Sequence, residues 1–104
     1  MLDKNEFALR ISQLREKKGV SARDMSLSIG QNAGYINNIE SGKASPSLMG
    51  IYYICEYFGI TPCELFDYEN KNPLQLGKII TDLKKLDDKQ LETVAQLVKY
   101  IVKD

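Results

Sequence analysis

The chain has 104 residues, of which 43% are hydrophobic and 27% are charged, and its formal net charge is zero. This composition is typical of one small globular domain with an appendage and excludes a disordered chain. No apolar run approaches the roughly 20 residues that span a bilayer, and the N-terminal residues lack the layout of a signal peptide. We therefore expect a cytoplasmic protein with no membrane partner.

The residue types present argue against catalysis. The chain has no histidine and two cysteines, Cys55 and Cys63, which we expect to be reduced thiols packed near the core. Without histidine, most zinc motifs and the common pairs of nucleophile and base are excluded. We predict that the protein is not an enzyme, and that it needs no metal, cofactor or small-molecule ligand.

The first predicted helix runs from about Lys4 to Lys18. Phe7, Ile11 and Leu14 form one apolar stripe along it, and Gly19 follows as a residue that can end it. This amphipathic pattern predicts a helix that packs one face against a core.

Residues 21–42 predict two more short helices joined by a tight turn. Ser21 can cap the first of them, and Gly30 can supply the left-handed residue that ends it. Asn32 can cap the second, which we expect over about residues 32–40, before Gly42. Two helices joined by so short a corner form a helix-turn-helix, an arrangement that can place its second helix in a DNA major groove.

The next two predicted helices complete the first part of the chain. The fourth begins after Pro46 with Ser47 as its cap and ends at Gly59, and the fifth is a short helix capped by Thr61. No segment shows the alternation of a strand, so no sheet is expected. The fourth helix should bury Leu48, Ile51, Ile54, Cys55 and Phe58.

A polar segment over residues 67–72, within which we place a linker at 69–72, then precedes a helical tail. Pro73 can begin a sixth helix that reaches about Lys85, and Asp87 with Gln90 can form a capping box for a seventh. Two such helices are too short to hold a core alone. Their apolar stripe therefore packs on the first domain or forms a dimer seam, and we favour the seam. Its residues are Leu91, Val94, Val98 and Ile101.

Several segments of the chain also match a known pattern in order. LREKKGVS (residues 14–21) is followed by Gly30 at the turn, by YINNIESGKASPSL (35–48) and by CEYFGITPCELF (55–66). In this order they resemble the Cro/Xre-type, phage-repressor-like helix-turn-helix transcriptional regulators. The resemblance covers most of the first two thirds of the chain.

The resemblance implies an all-α fold. A five-helix, lambda-repressor-like DNA-binding domain would occupy residues 1–68. The linker at 69–72 and the two-helix C-terminal extension over 73–104 lie beyond the resemblance and are predicted from the residues themselves. The resemblance implies a transcriptional regulator, a repressor in our interpretation, that binds operator DNA as a homodimer with helix 3 in the major groove. It also implies an ion pair between Arg15 and Glu40 that fixes helix 1 against that recognition helix.

The predicted DNA contacts lie on and around helix 3. Asparagine and glutamine can pair with adenine edges, Ala33 can contact a thymine methyl group, and Gly34 permits close approach of the backbone. Arg23 and Lys43 can contact phosphates, whereas Tyr35 is equally compatible with a phosphate contact and with the core. The full set is Ala22, Arg23, Gln31, Asn32, Ala33, Gly34, Tyr35, Asn37, Asn38, Lys43, Ser45 and Ser47.

Two alternatives remain open from the residues. The chain carries Ala22, Ala33 and Gly34 where the family commonly has longer side chains, and residues 46–69 have a net charge of −4. These features suit a protein-interaction module that kept the fold without reading DNA. An antitoxin-like autoregulator would carry the same pattern as a repressor.

Overall fold

The computed structural model describes residues 4–103, and over this range the chain is helical without a strand, which confirms the all-α prediction. A first compact unit ends at Leu74 and a second begins at Gln75. None of the helices in this range is long and apolar enough to cross a bilayer. The described helices are α1 (Lys4–Lys18), α2 (Ala22–Ser28), α3 (Tyr35–Glu40), α4 (Leu48–Phe58), α5 (Pro62–Leu65), α6 (Pro73–Leu83) and α7 (Asp88–Val102).

The first unit is built around one apolar core. Within it, α3 is held by Ile36 and Ile39, which are 0% and 2% exposed. Burying such a side chain is worth about 1.5–3 kcal/mol, so a six-residue helix too short to be stable alone is fixed by its inner face. The buried core residues are Ile11, Leu14, Met25, Ile36, Ile39, Ile54, Cys55, Phe58, Ile60 and Leu65.

Side-chain caps begin four of the helices, as the sequence predicts. The Ser21 and Ser47 hydroxyls accept the backbone N–H groups of the residues three positions on, at 3.0 Å and 3.1 Å. Thr61 and Asp87 each form a complete capping box. These contacts satisfy amide groups that have no partner within the helix itself.

Two burial predictions are wrong. Leu48 is 68% exposed, because it lies about 200° around the helix from Gly50, which α4 turns toward the protein interior. Cys63 is also exposed, whereas Cys55 is buried. In the single turn of α5, Leu65 takes the inward position at 0% exposure, which leaves Cys63 on the outer side.

The second unit has no buried residue between positions 75 and 103. Of the predicted seam, Leu91, Val94 and Val98 line one apolar groove together with Leu83 of α6, whereas Ile101 lies outside it and is 71% exposed. The unit therefore presents an apolar surface without enclosing a core of its own. The groove is lined by Leu83, Leu91, Val94, Ala95, Val98, Lys99 and Val102.

Candidate nucleic-acid interface

The corner between α2 and α3 is closed by a glycine. Gly30 has φ +78°, a left-handed conformation that costs glycine little. Its N–H donates to Leu27 O at 3.1 Å, and the next N–H, of Gln31, donates to Ser26 O at 2.9 Å. These bonds satisfy carbonyl groups at the end of α2 and turn the chain toward α3.

A short turn precedes α3, and it corrects the predicted start of that helix. The Asn32 side chain accepts the Gly34 N–H at 3.2 Å, and Asn32 O accepts the Tyr35 N–H at 3.1 Å. Gly34, with φ −94° and ψ 0°, has the backbone of the third residue of a type I turn. Asn32 therefore forms this turn instead of capping the helix, and α3 begins at Tyr35 and not at residue 32.

The missing cap of α3 comes from the preceding helix. Gly34 has no side chain with which to cap α3. Ser26 of α2, which is fully buried, supplies the cap instead. The Ser26 hydroxyl donates to Ala22 O at 2.7 Å and accepts the Ile36 N–H at 2.9 Å. One buried hydroxyl thus ties the first turn of α3 to α2 and fixes the angle of the corner.

The outer face of α3 is polar. Its stripe at helical spacing consists of Gly34, Asn37, Asn38 and Ser41, all exposed, opposite the buried isoleucines. The Ser41 hydroxyl is occupied by Asn38 O at 3.3 Å. Over residues 4–103, neither Asn37 nor Asn38 has a hydrogen-bond partner for its side-chain amide, so both amides are available to a ligand.

The loop after α3 folds back onto its last turn. The backbone N–H groups of Lys43 and Ala44 both donate to Asn38 O, at 2.9 Å and 3.1 Å. This brings Lys43 beside the exposed face, with Ser45 exposed two residues on. The Ser47 hydroxyl is already used as the cap of α4, where it accepts the Gly50 N–H.

The remaining predicted contact residues are divided between surface and core. Arg23 is exposed near the start of α2. Ala22 and Tyr35 are partly buried and pack against the core, and Gln31 and Ala33 are partly buried. Of these five residues, only Arg23 is exposed, and its charge is available to a phosphate.

Tyr35 is held against α4. A Cβ atom built at Gly50 would overlap the Tyr35 hydroxyl, so glycine at that buried position makes room for the ring. Burial also raises the pKa of Tyr35. The structure thus favours packing between α3 and α4 as the role of this residue.

Helix α1 is joined to the end of α3 by a two-point ion pair. Arg15 Nε lies 2.7 Å from Glu40 Oε2, and Arg15 Nη2 lies 3.0 Å from Glu40 Oε1. The third nitrogen, Nη1, donates to Val20 O at 2.9 Å. The hydrogen bond that Arg15 donates to Glu40 raises the pKa of Arg15, which favours the charged form of the guanidinium.

This arrangement agrees with the comparison to known families. A family model described as a helix-turn-helix domain matches residues 9–71, more than half of the chain. The chain belongs to this helix-turn-helix family. The match confirms the resemblance to Cro/Xre-type regulators, while no curated protein and no solved structure matches the chain.

The role of Arg10 inside the helix-turn-helix domain was not predicted. Arg10 is 3% exposed, and its guanidinium donates to Leu65 O at 2.9 Å, to Glu64 O at 2.7 Å and to Asn70 O at 2.7 Å. It therefore caps α5 and holds the polar segment at 69–72. The available signal was an arginine within the stripe of Phe7, Ile11 and Leu14.

The lysines at the end of α1 also have partners inside the domain. Lys17 Nζ donates to Lys71 O at 2.7 Å and contacts the side chain of Asn72. Lys18 Nζ lies 4.8 Å from the centre of the Tyr57 ring. These contacts tie α1 to the 71–72 segment and to α4. The exposed cations on α2 and in the loop after α3 are Arg23 and Lys43.

Proposed function

We propose that this protein is a sequence-specific DNA-binding transcriptional regulator, and that it represses by occupying promoter DNA. The observation that carries the proposal is the exposed stripe of α3, with two unpartnered amides on a helix fixed by the corner of a helix-turn-helix domain. Such domains place the second helix of the motif, which is α3 in this chain, in the major groove. The first five helices are proposed to form the lambda-repressor-like domain, with α6 and α7 as its extension.

In this proposal the contacts divide into two kinds. Asn37 and Asn38 reach base edges, because asparagine matches groups that bases display in the major groove. Arg23 and Lys43, both exposed, contact phosphates on either side and set the position of α3 without reading sequence. Because these cations are few, the salt dependence of binding by one subunit should be shallow.

The proposed partner in solution is a second copy of the chain. The tail shows no buried residue between positions 75 and 103, so its apolar groove gains stability only when another surface covers it. A two-fold pair of tails would cover both grooves and link two helix-turn-helix domains. Linking raises the effective concentration of the second domain, which compensates for weak binding by one.

The DNA-binding proposal is tested by putting negative charge on α3. Asn37→Asp/Asn38→Asp should abolish retention of DNA selected from a random pool, because two carboxylates would enter a groove bordered on both sides by negatively charged phosphates. Gln75→Glu/Gln96→Glu, the same change of net charge on exposed tail positions, should bind normally. Gel shifts at rising salt provide the measurement, with circular dichroism to show that both variants fold.

Two results would contradict the proposal. If the wild-type protein bound DNA regardless of sequence and salt, the proposed function as a sequence-specific regulator would be contradicted. Full regulatory function in the α3 variant, together with capture of a protein partner, would favour the interaction module instead.

The dimer proposal is tested separately on α7. Val94→Asp/Val98→Asp should yield a monomer by sedimentation and weaken binding to a two-half-site DNA by about 100-fold, through the lost linkage. Thr93→Asp/Gln96→Asp, on the same helix but outside the groove, should remain dimeric. A wild-type chain that is monomeric at the concentrations used for DNA binding would refute the seam.

A further inference from the structure

The recognition surface lacks the residues that most often read guanine. Between Arg23 and Lys43, residues 24–42 contain no lysine and no arginine. Guanine presents two acceptors, N7 and O6, to the major groove, and its usual partner is a bidentate arginine or lysine. The usual arginine or lysine contact to guanine is therefore absent from α3.

The amides that are present match a different base. Adenine presents an acceptor, N7, beside a donor, the N6 amino group. A carboxamide offers the complementary pair, an NH₂ donor and an oxygen acceptor, provided that both ends are free. Adenine is the one base that by itself presents both a donor and an acceptor to the major groove.

The structure separates the amides that can do this from one that cannot. Asn32 Oδ1 already accepts the Gly34 N–H at 3.2 Å, which leaves one end for a base. Asn37 and Asn38 lie exposed on the outer stripe, and their amides have no partner within residues 4–103. Gly34 adds no side chain beside them, and a Cβ at this position would lie 3.9 Å from Asn32 Oδ1 and 4.0 Å from Asn38 Nδ2.

We propose that each operator half-site contains adenines read through N6 and N7 by Asn37 and Asn38, with no guanine contact from α3. This inference depends on the proposed DNA-binding function and adds the base class that its recognition helix selects. Asn32 is assigned to the turn before α3 and not to base reading.

The test uses the full-length protein and DNA selected from a random pool. Half-sites in which the selected adenines are replaced by 7-deazaadenine lose the N7 acceptor and keep base pairing and the minor-groove edge. We expect each replacement at a read position to weaken binding by about 5- to 100-fold. Asn37→Ala or Asn38→Ala should lose affinity for the unmodified site, and the corresponding 7-deazaadenine should then have no further effect.

Asn32→Ser is the matched control, since a serine hydroxyl can form the same kind of turn. It should keep the full 7-deazaadenine penalty. The inference is overturned by a selected half-site whose required bases are G·C pairs. It is also overturned by 7-deazaadenine sites that bind normally, because reading would then depend on groove shape. Both results leave DNA binding itself intact, whereas selection of no sequence at all would refute the proposed function.

Discussion

Replacement of Arg10 by methionine is expected to destabilise the helix-turn-helix domain by about 3 kcal/mol, because three charge-assisted hydrogen bonds are lost together. The side chain is 3% exposed, and methionine would fill its space without supplying a donor to Leu65 O, Glu64 O or Asn70 O. Desolvation lowers the pKa of Arg10, partly opposed by Asp67. Burial of the charge therefore offsets some of the gain, which keeps the effect below the sum of three bonds.

The measurement is urea unfolding followed by circular dichroism at one fixed protein concentration, because a dimer would make stability depend on concentration. The midpoint should fall while the slope stays the same. Lys17→Met is the matched control, since Lys17 also donates to this segment, at Lys71 O, but is exposed. Its effect should stay within about 0.5 kcal/mol. If Arg10→Met lost no more stability than Lys17→Met, the buried Arg10 contacts would contribute nothing beyond an exposed contact.

Local patterns were sufficient to predict most helix boundaries. Ser21, Ser47, Thr61 and Asp87 act as caps where the sequence predicts them. Such signals are reliable because cap and amide lie within three residues of each other, so no knowledge of the tertiary fold is needed.

Contacts between distant residues were harder to predict. The hydroxyl of Ser26 caps α3 from ten residues away, and Arg10 binds carbonyls more than fifty residues along the chain. Neither partner is encoded by a local motif. The start of α3 was misplaced because Asn32 is as suitable for a turn as for a helix cap. With Ser26 supplying the cap, the chain uses Asn32 for the turn.

The tail shows where a pattern specifies a surface but not its partner. Its apolar stripe and capping box are encoded locally, and α7 begins at Asp88, directly after the predicted cap, and runs to Val102. What covers Leu91, Val94 and Val98 depends on a surface that periodicity does not identify. The dimer seam therefore remains a prediction, which the variants on α7 test.

The second large effect is expected from Glu40→Ala, which would leave the charge of Arg15 largely buried without its partner. The Arg15 and Glu40 side chains are 18% and 13% exposed, and breaking such a pair costs about 3 kcal/mol. Since the hydrogen bond that Arg15 donates to Glu40 raises the pKa of Arg15, the contribution of the charged guanidinium to stability is present at neutral pH and is lost when arginine deprotonates in strong alkali. Thermal unfolding at pH 7 is therefore a suitable measurement.

The chain offers a matched control in its exposed ion pair. Lys85 Nζ lies 3.7 Å from Asp82 Oδ1, with side chains 73% and 78% exposed, so Asp82→Ala should change stability by less than about 0.5 kcal/mol. Arg15→Ala/Glu40→Ala should lose less than the two single variants together, with a coupling of about 1–3 kcal/mol. Strictly additive losses would mean that the pair does not hold α1 to α3. Coupled losses, accompanied by weaker DNA binding of the folded Glu40→Ala protein, would show that the ion pair also sets the position of the recognition helix.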